Sequence, residues 1–420
     1  MGQSAALALT LGVESLVVLM WLRGAAVAVP WRRMVIAALL PSSLTHPLAW
    51  RAAAALSADG YVAGLVAIET AVVLVEAAVL RALLPLDARR ALVAAVAANL
   101  ASFTAGLALM APVPLHLVAL ALFGLPHVVW EMAFVRSRYG ARWPRRWWHA
   151  LWTVLALQAL VRGGDALDIV PSQWVQASDI ATLALIGALV ACAPRGTGAA
   201  ARLVGAAGAI ALVWLLAAGE LIVALLWLSL LHNFTPLLLA WDLAREDASQ
   251  RPVAWGVTAL LVLPLGVVAA ALAVPAFADW IAAAQGGVSS GVASSGSASD
   301  AAPLAAQLPF GATPQLLPAL LTALALAQCA HYLCVIHLLP QAEARRSGRP
   351  PLPGRGRAVA QLATAALAVY FLIDAPSARE LYAVAAGAHA WLEWPVLLMA
   401  WLGGGALLAQ AGEGLERRHA

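Results

Sequence analysis

LHLVALALFGLPHVVWEMAFV, residues 115–135, is the stretch on which the fold turns. It contains no arginine, lysine or aspartate, and a helix of about 20 such apolar residues is what crosses the hydrocarbon of a bilayer. It also carries His127 and, four residues on, Glu131, a spacing that puts both on one helix face. An ionisable side chain at membrane depth is costly unless it faces the protein interior with a partner. Both residues are therefore functional candidates by default.

The rest of the chain repeats the pattern. It is 63% hydrophobic and 11% charged, with mean hydropathy +0.86, against about 45–50% apolar and 25% charged in a soluble domain. Alternating segments of about ten residues, the mark of a transmembrane barrel, are absent. The expected class is an all-α polytopic membrane protein of about 12–13 transmembrane helices. The spans fall near 4–22, 34–50, 60–80, 91–111, 115–135, 149–163, 178–193, 203–218, 220–241, 253–279, 313–339, 357–374 and 379–408. Pro41 and Pro47 interrupt the second, and the first lacks the basic flank of a cleaved signal peptide.

All 25 basic residues are arginine, and they fall in alternate loops. Arg23, Arg32 and Arg33, then Arg81, Arg89 and Arg90, then Arg136 to Arg146 lie on one side, as do the clusters at 195–202, 245–251, 345–357 and 417–418. The opposite loops hold little beyond Arg51, Arg162 and Arg379. By the positive-inside rule the N-terminus is outside and the C-terminus cytoplasmic, as in a multi-pass protein of a bacterial inner membrane. The net charge of +4 thus reflects topology, and no nucleic-acid partner is expected. Three cysteines (Cys192, Cys329, Cys334) are too few for a disulfide framework. Two regions are expected: a four-helix bundle over 1–112 and a histidine-bearing bundle over 113–420. The Gly/Ser-rich run 286–307 should form a flexible external loop in the second.

Four histidines lie inside spans: His127, His232 in SLLHNFTPLL, His331 in AQCAHYLCVI and His389 in GAHAWLEWP. His389, like His127, has a glutamate one turn later, Glu393. Counted from the cytoplasmic ends of their spans, His127, Glu131, His232 and His331 fall within a slab ~8 Å thick, whereas His389 is expected in the outer half of the bilayer. Pro236 should free the carbonyl of His232, because proline removes the hydrogen bond to the carbonyl four residues back. A buried histidine alone is as readily explained by helix–helix hydrogen bonding. Three imidazoles at one depth with two His-x-x-x-Glu pairs point instead to a metal site. Its candidate ligands are His127, Glu131, His232, His331, His389 and Glu393. Imidazole with carboxylate suits iron, zinc or manganese, and two histidines with one carboxylate suit non-haem iron. Elsewhere Glu14, Glu69, Glu76 and Asn99 place polar groups in the first four spans, and for the Glu69/Glu76 pair, seven residues apart on one face, helix packing or proton transfer is as ready a reading as metal binding.

At GLPHVVWEM, HNFTP and HYLCVIHLLP the chain resembles the membrane-bound bacterial carotene-cleaving dioxygenases, in arrangement and across spans 5 to 13. GLPH is the nearest local likeness; Val128, Val129, Trp130 and Glu131 depart from that family's pattern. The resemblance implies intramembrane histidines holding iron beside a hydrophobic tunnel. The histidine boxes of membrane desaturases and alkane hydroxylases are absent. The expected function is a histidine-ligated integral-membrane metalloenzyme, a non-haem iron oxygenase acting on a lipophilic small molecule drawn from the bilayer. The alternatives are a proton-coupled transporter with a His/Glu relay and a bis-His haem protein.

Overall fold

A computed structural model describes residues 2–24, 29–57, 61–192, 231–292 and 316–419, with a few residues between 203 and 214. These residues are almost wholly helical and include no strand. Nine helices among them are long and apolar enough to cross a membrane. Most of the expected span 203–218 and the first half of 220–241 lie outside the described residues.

In chain order the helices are α1 (Gln3–Gly24), α2 (Trp31–Ala54), α3 (Tyr61–Leu83), α4 (Ala88–Met110), α5 (Pro112–Tyr139), α6 (Arg145–Ala166) and α7 (Ser172–Ala191). There follow α8 (Thr235–Glu246), α9 (Arg251–Ala273), α10 (Pro275–Val292) and α11 (Leu317–Leu333). A π-helical turn, Cys334–Leu338, leads into α12 (Leu339–Ser347), and α13 (Gly354–Ile373) and α14 (Ala375–His419) complete the chain.

Three expectations are corrected. Pro41 and Pro47 do not break the second span, since α2 runs through both. Hydroxyls serve the backbone there: Ser15 donates to the Ala38 carbonyl and Thr45 to that of Pro41. The expected span 253–279 is two helices, parted at Val274 because Pro275 has no N–H to continue the ladder. The Gly/Ser-rich loop expected over 286–307 begins later, because α10 continues to Val292; residues 293–307 lie outside the described residues.

The chain divides into two units, Met1–Leu115 with Ala270–Gly296, and His116–Ala269 with Ser297–Ala420. In the first unit α1 packs on α2 and α4, and α3 on the same two. Buried alanines (Ala37, Ala38, Ala91, Ala94, Ala95, Ala98) let these backbones approach closely. Between them runs a polar seam. Ser42 and Ser102 donate to Glu14, Thr45 donates to Glu76 at 2.7 Å, and Asn99 donates to Glu76 at 2.6 Å.

In the second unit α14 packs against α6, α7, α8 and α13 around a core that includes Phe134, Tyr139, Leu151, Leu155, Leu239, Leu243 and Val396. One end of this unit is tied by charge. Arg138 of α5, fully buried, lies 2.5 Å from Asp242 and 3.1 Å from Glu246 of α8, and 3.8 Å from Glu343 of α12. Tyr139 donates to Asp242 at 2.7 Å, Arg142 pairs with Glu246, and Arg346 pairs with Glu343 at 2.8 Å.

Two stability measurements in detergent test these packings. Arg138→Met strands buried carboxylates without their cation and is expected to cost about 3–5 kcal/mol, while exposed Arg345→Met stays within about 0.5 kcal/mol. Glu76→Met removes the carboxylate shared by Thr45 and Asn99, which keep only the backbone carbonyls of Pro41 and Ala95, and is expected to cost about 1–3 kcal/mol, much of it recovered when Thr45→Val and Asn99→Leu are added. A Glu76→Met protein that melts with wild type would refute the seam's role.

Candidate metal centre

The centre is built from four segments of the second unit. α5 brings His127 and Glu131, the residues just before α8 bring His232, α11 brings His331, and α14 brings His389 and Glu393. On α5, Gly124 precedes His127 by one turn, where a Cβ would stand 2.8 Å from the ring of Tyr382; glycine is required by that close approach. The helical backbone is interrupted beside His232. Asn233 and Phe234 form a turn, Pro236 restarts α8, and the hydroxyl of Thr235 lies 2.8 Å from the carbonyl of His232. The carbonyl that the proline should leave free is thus served by a side chain.

His127, Glu131, His232 and His331 each offer one ligand atom, and all four atoms lie within 4.8 Å of one another. His389 is drawn into the same place, against the expectation that it lies at a different depth. Its Nε2 is 3.0 Å from Nε2 of His127, 3.0 Å from Nε2 of His232 and 3.7 Å from Oε2 of Glu131. The difference lies in the helix ends. α5 runs on to Tyr139 and α14 starts at Ala375, so His127 is near the middle of its helix and His389 is ~21 Å into its own.

The protonation chemistry of this cluster is restrictive. An imidazole nitrogen offers either one N–H or one lone pair, in the ring plane. Nε2 of His389 cannot make full hydrogen bonds to both neighbours. Both oxygens of Glu131 and both ring nitrogens of His331 are buried with no hydrogen bond among the described residues, although Nε2 of His331 lies 3.5 Å from Oε2 of Glu131. Buried polar atoms in native proteins are nearly always satisfied, so this concentration of unmet atoms is what a cation-binding shell looks like. Two nitrogens held ~2.1 Å from one ion at a right angle stand about 3.0 Å apart, the spacing of these Nε2 atoms, while a tetrahedral angle would part them by about 3.4 Å.

Glu393 takes a different place from Glu131. Its Oε2 lies 2.7 Å from Nδ1 of His232 and 3.0 Å from the hydroxyl of Thr235, on the side of the ring away from the cluster. In carboxylate–histidine–metal chains a carboxylate so placed holds the proton on Nδ1 and leaves the Nε2 lone pair for the ion; here the two groups are in contact, and Nδ1 makes no hydrogen bond among the described residues.

Beside the cluster is a cavity of about 290 Å³. The four histidines form part of its wall, with Tyr332, Tyr382, Gln328 and Trp391, and with His116 and Arg162 also on the lining. The ring of Tyr332 lies 4.5 Å from that of His127, and its hydroxyl accepts from Gln328 Nε2 at 2.7 Å. Sequence reasoning missed both tyrosines. Tyr382 stands seven residues before His389, two turns along the same face, and that spacing was the available signal. His337, within the π turn, is exposed, and His46 stacks on Trp50 in the first unit. Cys334 is buried among apolar side chains of the core.

Thr235 joins the broken helix to Glu393, so Thr235→Val is expected to lower stability by about 1–2 kcal/mol while Thr235→Ser preserves it; equal melting of all three proteins would refute the contact. In comparisons with known protein families, curated proteins and solved structures, this chain matches none.

Proposed function

We infer that the chain is a multi-pass metalloenzyme of a bacterial inner membrane, a non-haem iron oxidoreductase acting on a lipophilic small molecule. The observation that carries this reading is the convergence of Nε2 of His127 and Nε2 of His232 on Nε2 of His389, each at 3.0 Å, beside a buried Glu131 whose oxygens make no hydrogen bond among the described residues. His127, His232, His331 and His389 with Glu131 would hold the ion, and Glu393 would orient His232. Right-angled imidazoles with a carboxylate favour iron or manganese over a closed tetrahedral zinc site. The contact distance between the nitrogens leaves no slot for a porphyrin, which favours a free ion over bis-His haem. The resemblance to carotene-cleaving dioxygenases supports the same chemistry: iron, when bound, supplies oxygen activation.

The chain's own groups supply the rest. Leu120, Leu324, Ala386 and Ala390 give the cavity an apolar wall suited to a bilayer-derived substrate. The Tyr332 hydroxyl accepts from Gln328 Nε2 at 2.7 Å, which leaves its own proton to be donated, and its ring lies 4.5 Å from that of His127 on the cavity wall. The arginine bias supports an outside N-terminus and a cytoplasmic C-terminus. Transport is the second reading, favoured by the buried Glu14–Ser42–Ser102 and Glu76–Thr45–Asn99 contacts of the first unit.

Metal analysis with an optical spectrum on detergent-purified protein tests the reading. Close to one iron per chain and no Soret band are expected, with metal lost in His127→Ala and His331→Ala and affinity about 10–100-fold weaker in Glu393→Gln. Protein purified without stoichiometric metal, but carrying solute flux in proteoliposomes, would overturn it in favour of transport.

A further inference from the structure

The charge lock at one end of the second unit uses Arg138, Arg142 and Arg346, each set against carboxylates. Two arginines of the same region are not so used. Arg136, at the end of α5, and Arg145, at the start of α6, are exposed and make no ion pair among the described residues. They line a second cavity, of about 330 Å³, together with His149 and Trp148. No carboxylate lines it. The indole nitrogen of Trp148 is buried there with no hydrogen bond among the described residues, a donor awaiting an acceptor. The N-terminus of α6 adds to the field, since Pro144 precedes it and no side chain caps its first N–H groups.

The other walls are apolar: Met132, Val135, Leu392 and Trp152. Trp152 is 37% exposed, so the apolar side of the cavity extends to the surface that the membrane would cover. Donors and positive charge gathered at one edge, with an apolar track leading from them, match an amphiphile with an anionic head. The arginine bias places this edge at the cytoplasmic leaflet, where anionic phospholipids contact basic pockets between helices. We propose that Arg136, Arg145, His149 and Trp148 form a binding site for the phosphate of an anionic glycerophospholipid, whose acyl chain lies along Met132, Val135, Leu392 and Trp152. Phosphate oxygens would accept from the two guanidinium groups and from the Trp148 N–H. The site is separate in its residues from the histidine centre, so it stands whether or not that centre binds metal.

Native mass spectrometry on the full-length, detergent-solubilised chain tests the proposal, with phosphatidylglycerol and phosphatidylcholine of identical acyl chains as probes and glycerol phosphate as the headgroup alone. Wild type is expected to retain phosphatidylglycerol at least about tenfold better than phosphatidylcholine, and to bind glycerol phosphate far more weakly than the lipid. Arg136→Gln/Arg145→Gln should lower phosphatidylglycerol retention about thirtyfold. Trp148→Phe should lower it in part, and Arg136→Lys/Arg145→Lys should keep most of it. Helical content by circular dichroism checks the fold of each variant. Equal retention of the two lipids by wild type, or an undiminished preference in a folded Gln/Gln variant, would overturn the site. Glycerol phosphate binding as tightly as the lipid would overturn the assignment of a phospholipid. Should the Gln/Gln variant not fold, the wild-type comparison and Trp148→Phe still decide the matter.

Discussion

Arg138 and its carboxylates set the terms for the second unit. A buried guanidinium is tolerated only when its charge and its donors are both answered, and removing one partner costs far more than the pair contributes. Asp242, Glu246 and Glu343 answer the charge from α8 and α12, and Asp242 takes the Nε and Nη2 donors, so three helices are obliged to meet at one level. Glu131 lies two helical turns before Arg138 on the same face of α5. The helices pinned by charge at one level are therefore those that carry or directly follow His127, His232 and His331 at the next. A charge-paired layer beneath the histidines is how a protein holds functional groups in place.

The two units handle buried polarity in opposite ways. In the first, each carboxylate oxygen of Glu14 and Glu76 has a donor from a neighbouring helix, and the result is a satisfied seam between alanine-rich faces. In the second, Glu131 and His331 keep unanswered atoms against a cavity. Satisfied networks specify packing, whereas unsatisfied ones in a native structure ask for a further explanation.

Much of this was legible in the sequence because the bilayer imposes so few solutions. Apolar runs of sufficient length announced the helices, and four-residue spacing announced the faces of His127/Glu131 and His389/Glu393. Pro236 announced the carbonyl of His232. Helix ends could not be read: the last span starts four residues earlier and α5 ends four residues later than the apolar runs suggest, a shift of ~6 Å at each that parted His389 from its neighbours. That α2 runs unbroken through Pro41 and Pro47 was hidden as well. The partners of Arg138 were likewise invisible, since Asp242 and Glu343 look like loop charges until helix packing brings them inward. The role of Glu393 needed the orientation of the His232 ring, which no spacing encodes.

The π-helical turn at Cys334–Leu338 has a consequence for register. His331 and Glu343 are twelve residues apart on what is otherwise one helix, and twelve residues of regular α-helix would leave them about 120° out of phase. The N–H of Leu339 instead reaches the carbonyl of Cys334, five residues back, and the wider turn advances less per residue. The rotation brings Glu343 round toward the side on which His331 points. One helix can then face inward at two separate levels, toward the histidines and toward Arg138, and the extra residue acts as a phase corrector between them.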